Sequence, residues 1–266
     1  MEINNVQLHG VGHPVLLLPG GAESGDGFFP GLIEGLTADP GCQVIVYDRP
    51  GTGTSPADGA LADAASHLSS LIDRLGCGPV VAVRQSLGGA VAVLLARDHP
   101  HNVAGLVLLD PTPLNDPRTC ARLERTTRLL AGAAAVPGVH SLLSAAVRAT
   151  AARVARRSTL RPDCAAALAR TARLDVPTLA RAVRGITALS RDLRETDLPR
   201  IPAVVVTADR TPRSRVRRAH ARLAQAFGAP LVSWPGATHS VHLDHPDETL
   251  ATVRTLLTPT GPPTGP

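Results

Sequence analysis

Three side chains that could together activate a hydroxyl group follow three separate apolar stretches of the chain. They are Ser86, Asp209 and His239, in that order. A serine hydroxyl is a poor nucleophile until a base takes its proton, and the pKa of histidine suits that task near neutral pH. A carboxylate then holds the imidazole in the correct tautomer and stabilises its charged form. These residue types predict nucleophilic catalysis with Ser86 as nucleophile, His239 as base and Asp209 as acid.

Other residues compete for two of these roles. Asp110 ends another apolar stretch and is the alternative acid, although the Pro-Thr-Pro that follows it is more typical of a structural turn. His242 and His245 compete with His239 for the role of base. We favour His239, because the first residue after the last predicted strand and its turn is the one placed over the sheet edge.

Ser86 lies where a predicted strand passes directly into a predicted helix. The preceding Val and Ala residues indicate a buried strand, and the Ala, Leu and Val residues that follow indicate a buried helix ending near Pro100. Gly88 and Gly89 remove side chains where the backbone passes closely. This is the layout of a nucleophile elbow, G-x-S-x-G, except that Arg84 stands at the first glycine.

Arg84 and the residues beside Ser86 predict the remaining contacts of a substrate. A buried arginine without a partner would cost several kcal/mol, so we expect Arg84 to reach solvent, pair with an acid or contact the ligand. Gln85 is a second candidate for contact with the substrate. The backbone N–H groups of Leu87 and Gly21 would stabilise an oxyanion. A phosphate-binding loop is the alternative for the glycines around Gly21, but the chain contains no lysine.

Strands and helices alternate along the chain, which predicts an α/β fold with a mostly parallel sheet and helices on both faces. In such sheets ligands bind at the carboxyl ends of the strands, where the candidate residues lie. We expect residues 1–115 and 198–258 to form this core, 116–197 to form an inserted helical lid, and 259–266 to be a disordered tail. The predicted strands are 3–9, 15–18, 43–48, 103–109, 201–207 and 230–234 besides the one before Ser86, and the predicted helices of the core include 28–36, 59–75, 212–227 and 246–257.

Composition argues against several function classes. Aromatic residues make up 2% of the 266 residues, so stacking on nucleic-acid bases is disfavoured. The net charge of +5 comes from arginines interspersed with acids, which is typical of solvated helix faces. The four cysteines lack metal-ligand spacing, and neither a signal peptide nor a membrane span is evident. We therefore expect a cytoplasmic enzyme without a metal or cofactor, whose partner is a small-molecule substrate.

The motifs resemble those of the α/β-hydrolase superfamily, in particular its single-domain, lidded esterase and haloperoxidase-like members. The matching segments, in the family's order, are 16–21, 47–55, 85–89, 105–110 and 239–246. The resemblance implies the α/β-hydrolase fold, Ser86 as nucleophile, His239 as base, Asp209 as acid and an oxyanion hole from Gly21 and Leu87. The elbow is atypical at Arg84, and the sheet is expected to have fewer than the usual eight strands.

Three functions fit this pattern. The leading one is hydrolysis of an ester, thioester or lactone of a small, mostly apolar molecule through an acyl-enzyme on Ser86. The second is a non-hydrolytic catalyst, a lyase or cyclase, that uses the same pocket for proton transfer. The third is a ligand-binding module with a disabled elbow. A serine, a histidine and an acid at strand ends favour catalysis, because binding alone requires none of the three.

Overall fold

The computed structural model describes residues 5–55, 58–136, 160–171 and 175–258, together with positions 138, 145 and 149. The predicted tail, residues 259–266, and part of the predicted lid lie outside the described residues. Among the described residues, no helix is both long enough and apolar enough to cross a membrane.

Seven strands form one sheet in the described part of the chain, in the spatial order β1-β3-β2-β4-β5-β6-β7. Only the edge strand β1 is antiparallel, to β3, and the other neighbours pair in parallel. The carboxyl ends of six strands therefore meet at one edge of the sheet, as predicted. The strands are β1 Val6–His9, β2 His13–Leu18, β3 Cys42–Tyr47, β4 Val80–Gln85, β5 Val103–Leu109, β6 Ala203–Thr207 and β7 Leu231–Ser233.

Helices follow most of the strands, and three of those described between β5 and β6 extend over the same strand edge as the candidate residues. The helices are α1 Leu32–Ala38, α2 Ala64–Leu75, α3 Ser86–Asp98, α4 Pro117–Ala134, α5 Pro162–Thr171, α6 Val176–Ala182, α7 Ile186–Asp192, α8 Arg215–Phe227, α9 Val241–Asp244 and α10 Pro246–Leu257. Helices α4 to α7 occupy the segment predicted to be a lid, and α4, α5 and α6 each place at least one residue on the cavity beside Ser86.

The core forms two layers because successive side chains of a strand point to opposite faces of the sheet. In β2, Leu16 and Leu18 pack into the layer that includes α2, α3 and α8, whereas Val15 and Leu17 pack into the layer that includes α1 and α10. All four side chains are almost completely buried. Burial of both faces explains why strands such as β4 and β5 contain runs of Val, Leu and Ala rather than alternating apolar and polar residues.

The observed ends of helices and strands agree best with the predicted ends where a residue such as proline marks the boundary. Helix α10 spans the predicted residues 246–257, and Pro246 stands in its first turn. Helix α1 was expected over 28–36 but begins at Leu32, because Phe28 and Phe29 belong to a turn that packs their rings into the core. The strand predicted at 3–9 is described at Val6–His9.

Arg84 is fully buried in β4, between Leu18 of β2 and Leu108 of β5. Its three guanidinium nitrogens have no hydrogen-bond partner among the described residues. Burial lowers the pKa of Arg84 well below its ordinary value. None of the three expected outcomes is seen: Arg84 does not reach solvent, pairs with no acid in the described part of the chain, and does not line the cavity beside Ser86. The expectation that Arg84 contacts substrate is therefore wrong, because its position in β4 buries the whole side chain away from the cavity beside Ser86.

Removing the buried charge of Arg84 should stabilise the protein. We expect Arg84→Met to raise the free energy of unfolding by about 1–4 kcal/mol, because an apolar side chain incurs no desolvation cost at this position. Urea unfolding followed by circular dichroism would show a higher midpoint with an unchanged slope. Arg97→Met is the matched control, since Arg97 forms a surface ion pair with Asp98 whose loss costs about 1 kcal/mol or less. A lower midpoint for Arg84→Met than for the natural sequence would contradict this account of Arg84.

Candidate active site

Ser86 lies at the tight junction between β4 and α3, where its backbone has a φ of 49°. That left-handed conformation is strained for a residue other than glycine. The neighbouring backbone approaches so closely that side chains would collide. A Cβ on Gly20 would lie 2.9 Å from the Cβ of Ser86, and a Cβ on Gly88 would lie 2.6 Å from the carbonyl oxygen of Pro19. The two glycines thus let the loop after β2 and helix α3 meet beside the serine.

His239 is the histidine that faces Ser86. It follows the turn after β7, and its Nε2 lies 2.9 Å from Ser86 Oγ. Of the two rival histidines, His245 instead contacts Glu248 and the carbonyl of Pro235. His242 stacks on Phe28 with 4.7 Å between ring centroids, and burial lowers its pKa to about 3. The histidine favoured by the sequence is therefore the one in position to exchange a proton with Ser86.

The carboxylate that contacts His239 belongs to Asp110. Its Oδ2 lies 2.6 Å from His239 Nδ1. Asp110 directly follows β5, is 1% exposed and has a φ of 44°. Ser86 and Asp110 are the two non-glycine residues with a positive φ in the described part of the chain. Such strain is found where the surrounding structure requires one side-chain direction, which here brings both groups to a single histidine.

Asp209 does not occupy the position expected for it. Its carboxylate accepts a hydrogen bond from the backbone N–H of Gly236 at 2.8 Å, and its own N–H donates to the carbonyl of Ala237. Asp209 therefore fixes the turn that leads to His239 and has no described contact with the imidazole. It lies two residues beyond β6, whereas Asp110 follows β5 immediately, and the sharp turn at Asp110 directs that carboxylate toward the end of β6.

Arg210 binds the Asp110 carboxylate with both ends of its guanidinium. One nitrogen contacts Oδ1, and Nη2 lies 2.7 Å from Oδ2. The backbone N–H of Ala208 also donates to Oδ1, at 2.9 Å. Burial alone would raise the pKa of Asp110, but the hydrogen bonds from Arg210 and His239 outweigh it and hold that pKa below its ordinary value. Asp110 is thus ionised throughout the range in which a histidine titrates.

His220 supports the turn after Asp110 from within the core. Its Nε2 lies 2.7 Å from the carbonyl oxygen of Pro111, which can only accept, so Nε2 carries a proton and donates. Its Nδ1 lies 2.9 Å from Thr207 Oγ1. The ring is completely buried, and burial lowers the pKa of His220. A neutral His220 therefore joins the ends of β5 and β6 through two hydrogen bonds.

Gln85 forms a hydrogen bond with the backbone of His239. Its Nε2 donates to the carbonyl oxygen of His239 at 2.9 Å, and the side chain also lines the cavity. A Cβ on Gly20 would come within 1.9 Å of Gln85 Oε1. Gln85 thus holds the His239 backbone in place, and its predicted contact with substrate stays a prediction.

The two expected oxyanion donors lie together beside Ser86. Gly21 and Leu87 both line the same cavity as the serine. Leu87 is the second residue of α3, and amides in the first turn of a helix have no intrahelical acceptor. Gly21 has a φ of 60°, a conformation that glycine adopts without strain. Both residues therefore line the cavity beside Ser86, and their role as oxyanion donors stays a prediction.

A cavity of about 310 Å³ opens onto Ser86 and His239. Its walls are mostly apolar, and residues of the helices between β5 and β6 form part of them. The apolar wall residues are Phe28, Leu87, Leu123, Leu179 and Val183. Within the described ranges, no group of three or more His, Cys, Asp or Glu residues is placed to hold a metal ion. The arrangement can deprotonate a hydroxyl and stabilise the negative charge that forms on a carbonyl under attack.

Comparison with known proteins identifies the family. A family model described as "Alpha/beta hydrolase family" matches residues 15–252, nearly the whole chain. The chain belongs to the α/β-hydrolase family. This α/β-hydrolase is 46% identical over 74 residues to "Lipase LipV" of Mycobacterium tuberculosis, covering 27% of this chain and 28% of that protein. It is 31% identical over 114 residues to "Putative carbamate hydrolase RutD" of Klebsiella pneumoniae, covering 41% and 42%.

The chain thus aligns with less than half the length of these curated relatives. Similarity in fold to solved structures extends over nearly the whole chain. The structure of MenH from Staphylococcus aureus superposes with a TM-score of 0.76 at 15% identity, covering 96% of this α/β-hydrolase and 98% of that protein. At that identity the similarity establishes the fold alone. The names of the two curated relatives describe a lipase and a carbamate hydrolase.

Sequence reasoning did not identify Arg210, His220 or Glu23 as part of the site. Arg210 was one arginine among the 27 basic residues, and no local pattern links it to Asp110, 100 positions earlier. Glu23 lies two residues after Gly21 and lines the cavity. The presence of an acid so close to a predicted oxyanion donor was the one signal that could have identified Glu23.

Proposed function

We propose that this α/β-hydrolase is a serine hydrolase that cleaves an ester, thioester or lactone of a small, mostly apolar molecule through an acyl-enzyme. The observation that carries the proposal is the continuous chain of hydrogen bonds from Ser86 through His239 to Asp110, of which Ser86 and His239 line an apolar cavity. The names of the partial relatives, a lipase and a carbamate hydrolase, agree with acyl transfer to water.

In the first half of the proposed reaction, Ser86 Oγ attacks the substrate carbonyl while His239 Nε2 takes its proton. The negative charge that develops on the carbonyl oxygen is stabilised by the N–H groups of Gly21 and Leu87. Asp110 accepts the hydrogen bond from His239 Nδ1–H and stabilises the imidazolium. The imidazolium then gives its proton to the leaving group, and the acyl group remains on Ser86.

In the second half, His239 takes a proton from a water molecule, whose oxygen attacks the acyl carbon. Breakdown of this second tetrahedral intermediate releases the acid and returns the proton to Ser86. Arg210 keeps the carboxylate of Asp110 ionised through both halves. The helices between β5 and β6 act as the lid, because they supply the apolar wall that excludes water from the acyl group.

Covalent labelling combined with ester hydrolysis tests this function. A fluorophosphonate probe is expected to add one adduct to the protein, on the peptide that contains Ser86, as located by mass spectrometry. The same preparation should hydrolyse p-nitrophenyl butyrate with a burst of p-nitrophenol, because the acyl-enzyme forms in a separate step. Labelling of Ser86 without hydrolysis of any ester would favour the non-hydrolytic alternative. Absence of labelling at Ser86 would contradict a serine nucleophile.

A further inference from the structure

Glu23 places a carboxyl group on the wall of the cavity that holds Ser86. It lies on the loop after β2, two residues beyond Gly21, and is half-buried. The same side chain also borders a second cavity of about 290 Å³, whose wall includes Asp175, Thr54 and Thr178. Glu23 thus stands at the boundary between the apolar cavity beside the nucleophile and a more polar space next to it.

No charged partner compensates this carboxylate within the described residues. Burial raises the pKa of Glu23 to about 7, with no opposing contribution from a nearby cation. Among the residues that the structure describes, the other titratable groups on the cavity beside Ser86 are His239 and His242. His239 is bound to Ser86 and Asp110, and His242 is a neutral ring stacked on Phe28. With respect to the described part of the chain, the Glu23 carboxylate therefore has hydrogen-bonding capacity left for a group in the space that a substrate would fill.

A buried polar group without a partner lowers stability, and a ligand that supplies the partner recovers that free energy on binding. The group that best satisfies a half-buried carboxylate is a cation that also donates a hydrogen bond. The walls around Glu23 are apolar on the side of Ser86, so the rest of the ligand must be mostly aliphatic. An aliphatic ester that carries an ammonium group meets both requirements.

Resting on the proposed hydrolytic function, we propose that Glu23 is a specificity-determining residue that selects acyl substrates bearing a protonated amine. The amine lies on the acyl chain or on the leaving group, and Glu23 pairs with it when the ester carbonyl is beside Ser86. Asp175 faces the second cavity and adds negative charge on the same side.

Matched pairs of esters test the proposal. 2-(Dimethylamino)ethyl butyrate carries the cation on the leaving group, and 3-methylbutyl butyrate is its neutral isostere. Ethyl 4-(dimethylamino)butanoate and ethyl 5-methylhexanoate form the corresponding pair for the acyl chain. The ratio of kcat/KM for the charged ester to that for its isostere is expected to be about ten- to a hundredfold higher in the natural protein than in Glu23→Gln, for one of the two pairs.

Glu23→Gln keeps the size of the side chain and one accepting oxygen but removes the negative charge, so it separates pairing with a cation from neutral hydrogen bonding. Asp26→Asn is the matched control, because it removes the same charge from an exposed position on the same loop and should leave both ratios unchanged. Ionisation of Glu23 provides a further readout. The ratio should increase as pH rises through about 7, because Glu23 becomes ionised, while effects on the catalytic step that both esters share cancel in the ratio.

The outcomes separate this proposal from the proposed function. If all four esters are hydrolysed and Glu23→Gln changes neither ratio, the role of Glu23 is contradicted and the hydrolase stands. If the natural protein hydrolyses none of them, the hydrolytic function is contradicted for these esters. Calorimetric titration of Ser86→Ala with each pair then still tests Glu23: tighter binding of the charged ester, lost in Ser86→Ala/Glu23→Gln, supports the proposal, and equal binding within both pairs overturns it.

Discussion

Asp110→Asn is expected to lower kcat for p-nitrophenyl butyrate by about 10⁴-fold, whereas Asp209→Asn should change it by less than about tenfold. Asparagine at position 110 would present an amide N–H₂ to His239 Nδ1 or leave it without an anionic acceptor. The imidazole would then favour the tautomer that cannot take a proton from Ser86, and its charged form would lose the carboxylate 2.6 Å away. Asp209 has no such contact, and an amide oxygen can still accept from the N–H of Gly236.

The pair of variants distinguishes between the two acids that the sequence leaves open. Asp110→Asn also removes the anion that Arg210 binds, so thermal unfolding of each variant must be measured to confirm that the assay reports on a folded protein. Fluorophosphonate labelling provides a second check, since a folded Asp110→Asn should label far more slowly than the natural protein. A loss of activity confined to Asp209→Asn would overturn the assignment of Asp110 as the acid.

Ser86→Ala is expected to reduce kcat by about 10⁶-fold, to the small rate that binding and the oxyanion donors sustain without a nucleophile. Ser240→Ala is the matched control, because Ser240 lines the same cavity but does not contact the imidazole of His239 in the described structure. It should retain activity within about tenfold of the natural protein. Both variants are assayed with p-nitrophenyl butyrate at the same enzyme concentration.

A double variant sharpens the test of Ser86. If Ser86 and His239 act as one unit, Ser86→Ala/His239→Ala should be no slower than Ser86→Ala alone. Additive losses would mean that the two residues contribute independently, which is inconsistent with the 2.9 Å contact between Ser86 Oγ and His239 Nε2 acting in proton transfer. Comparable activity in Ser86→Ala and Ser240→Ala would contradict a role for Ser86 as nucleophile.

Of the three hydrogen-bonded residues Ser86, His239 and Asp110, two have a strained backbone. Ser86 and Asp110 both have a positive φ, and each directly follows a strand of the sheet. Strain of about 1–3 kcal/mol at each position is sustained by the packing of the strands beneath. Gly89 allows the two turns to approach, since a Cβ there would lie 2.5 Å from the Cβ of Pro111. The glycines of the elbow therefore serve the acid as well as the nucleophile.

Much of the fold could be predicted from the sequence, because most of the strands consist largely of apolar residues and the apolar residues of several helices repeat at helical spacing. Alternation of these elements implies parallel strands with their carboxyl ends at one edge. Ser86 and His239 could be placed there by local patterns alone: a strand passing straight into a glycine-rich helix, and a histidine after the last turn. Both predictions of position agree with the structure.

Tertiary structure decided which aspartate contacts His239 and where the side chain of Arg84 lies. Asp110 and Asp209 both follow buried strands, so their local sequences predict the same edge for each. Only the left-handed turn at Asp110 and the pairing of β5 with β6 decide which carboxylate reaches His239. The side-chain direction of Arg84 likewise depends on its register in β4, which buries it between Leu18 and Leu108. By itself the sequence determined which residue types stand at the catalytic edge, since composition and periodicity are local properties. Which of them touch is decided by backbone dihedral angles and strand register, which bring together residues as distant along the chain as Asp110 and Arg210.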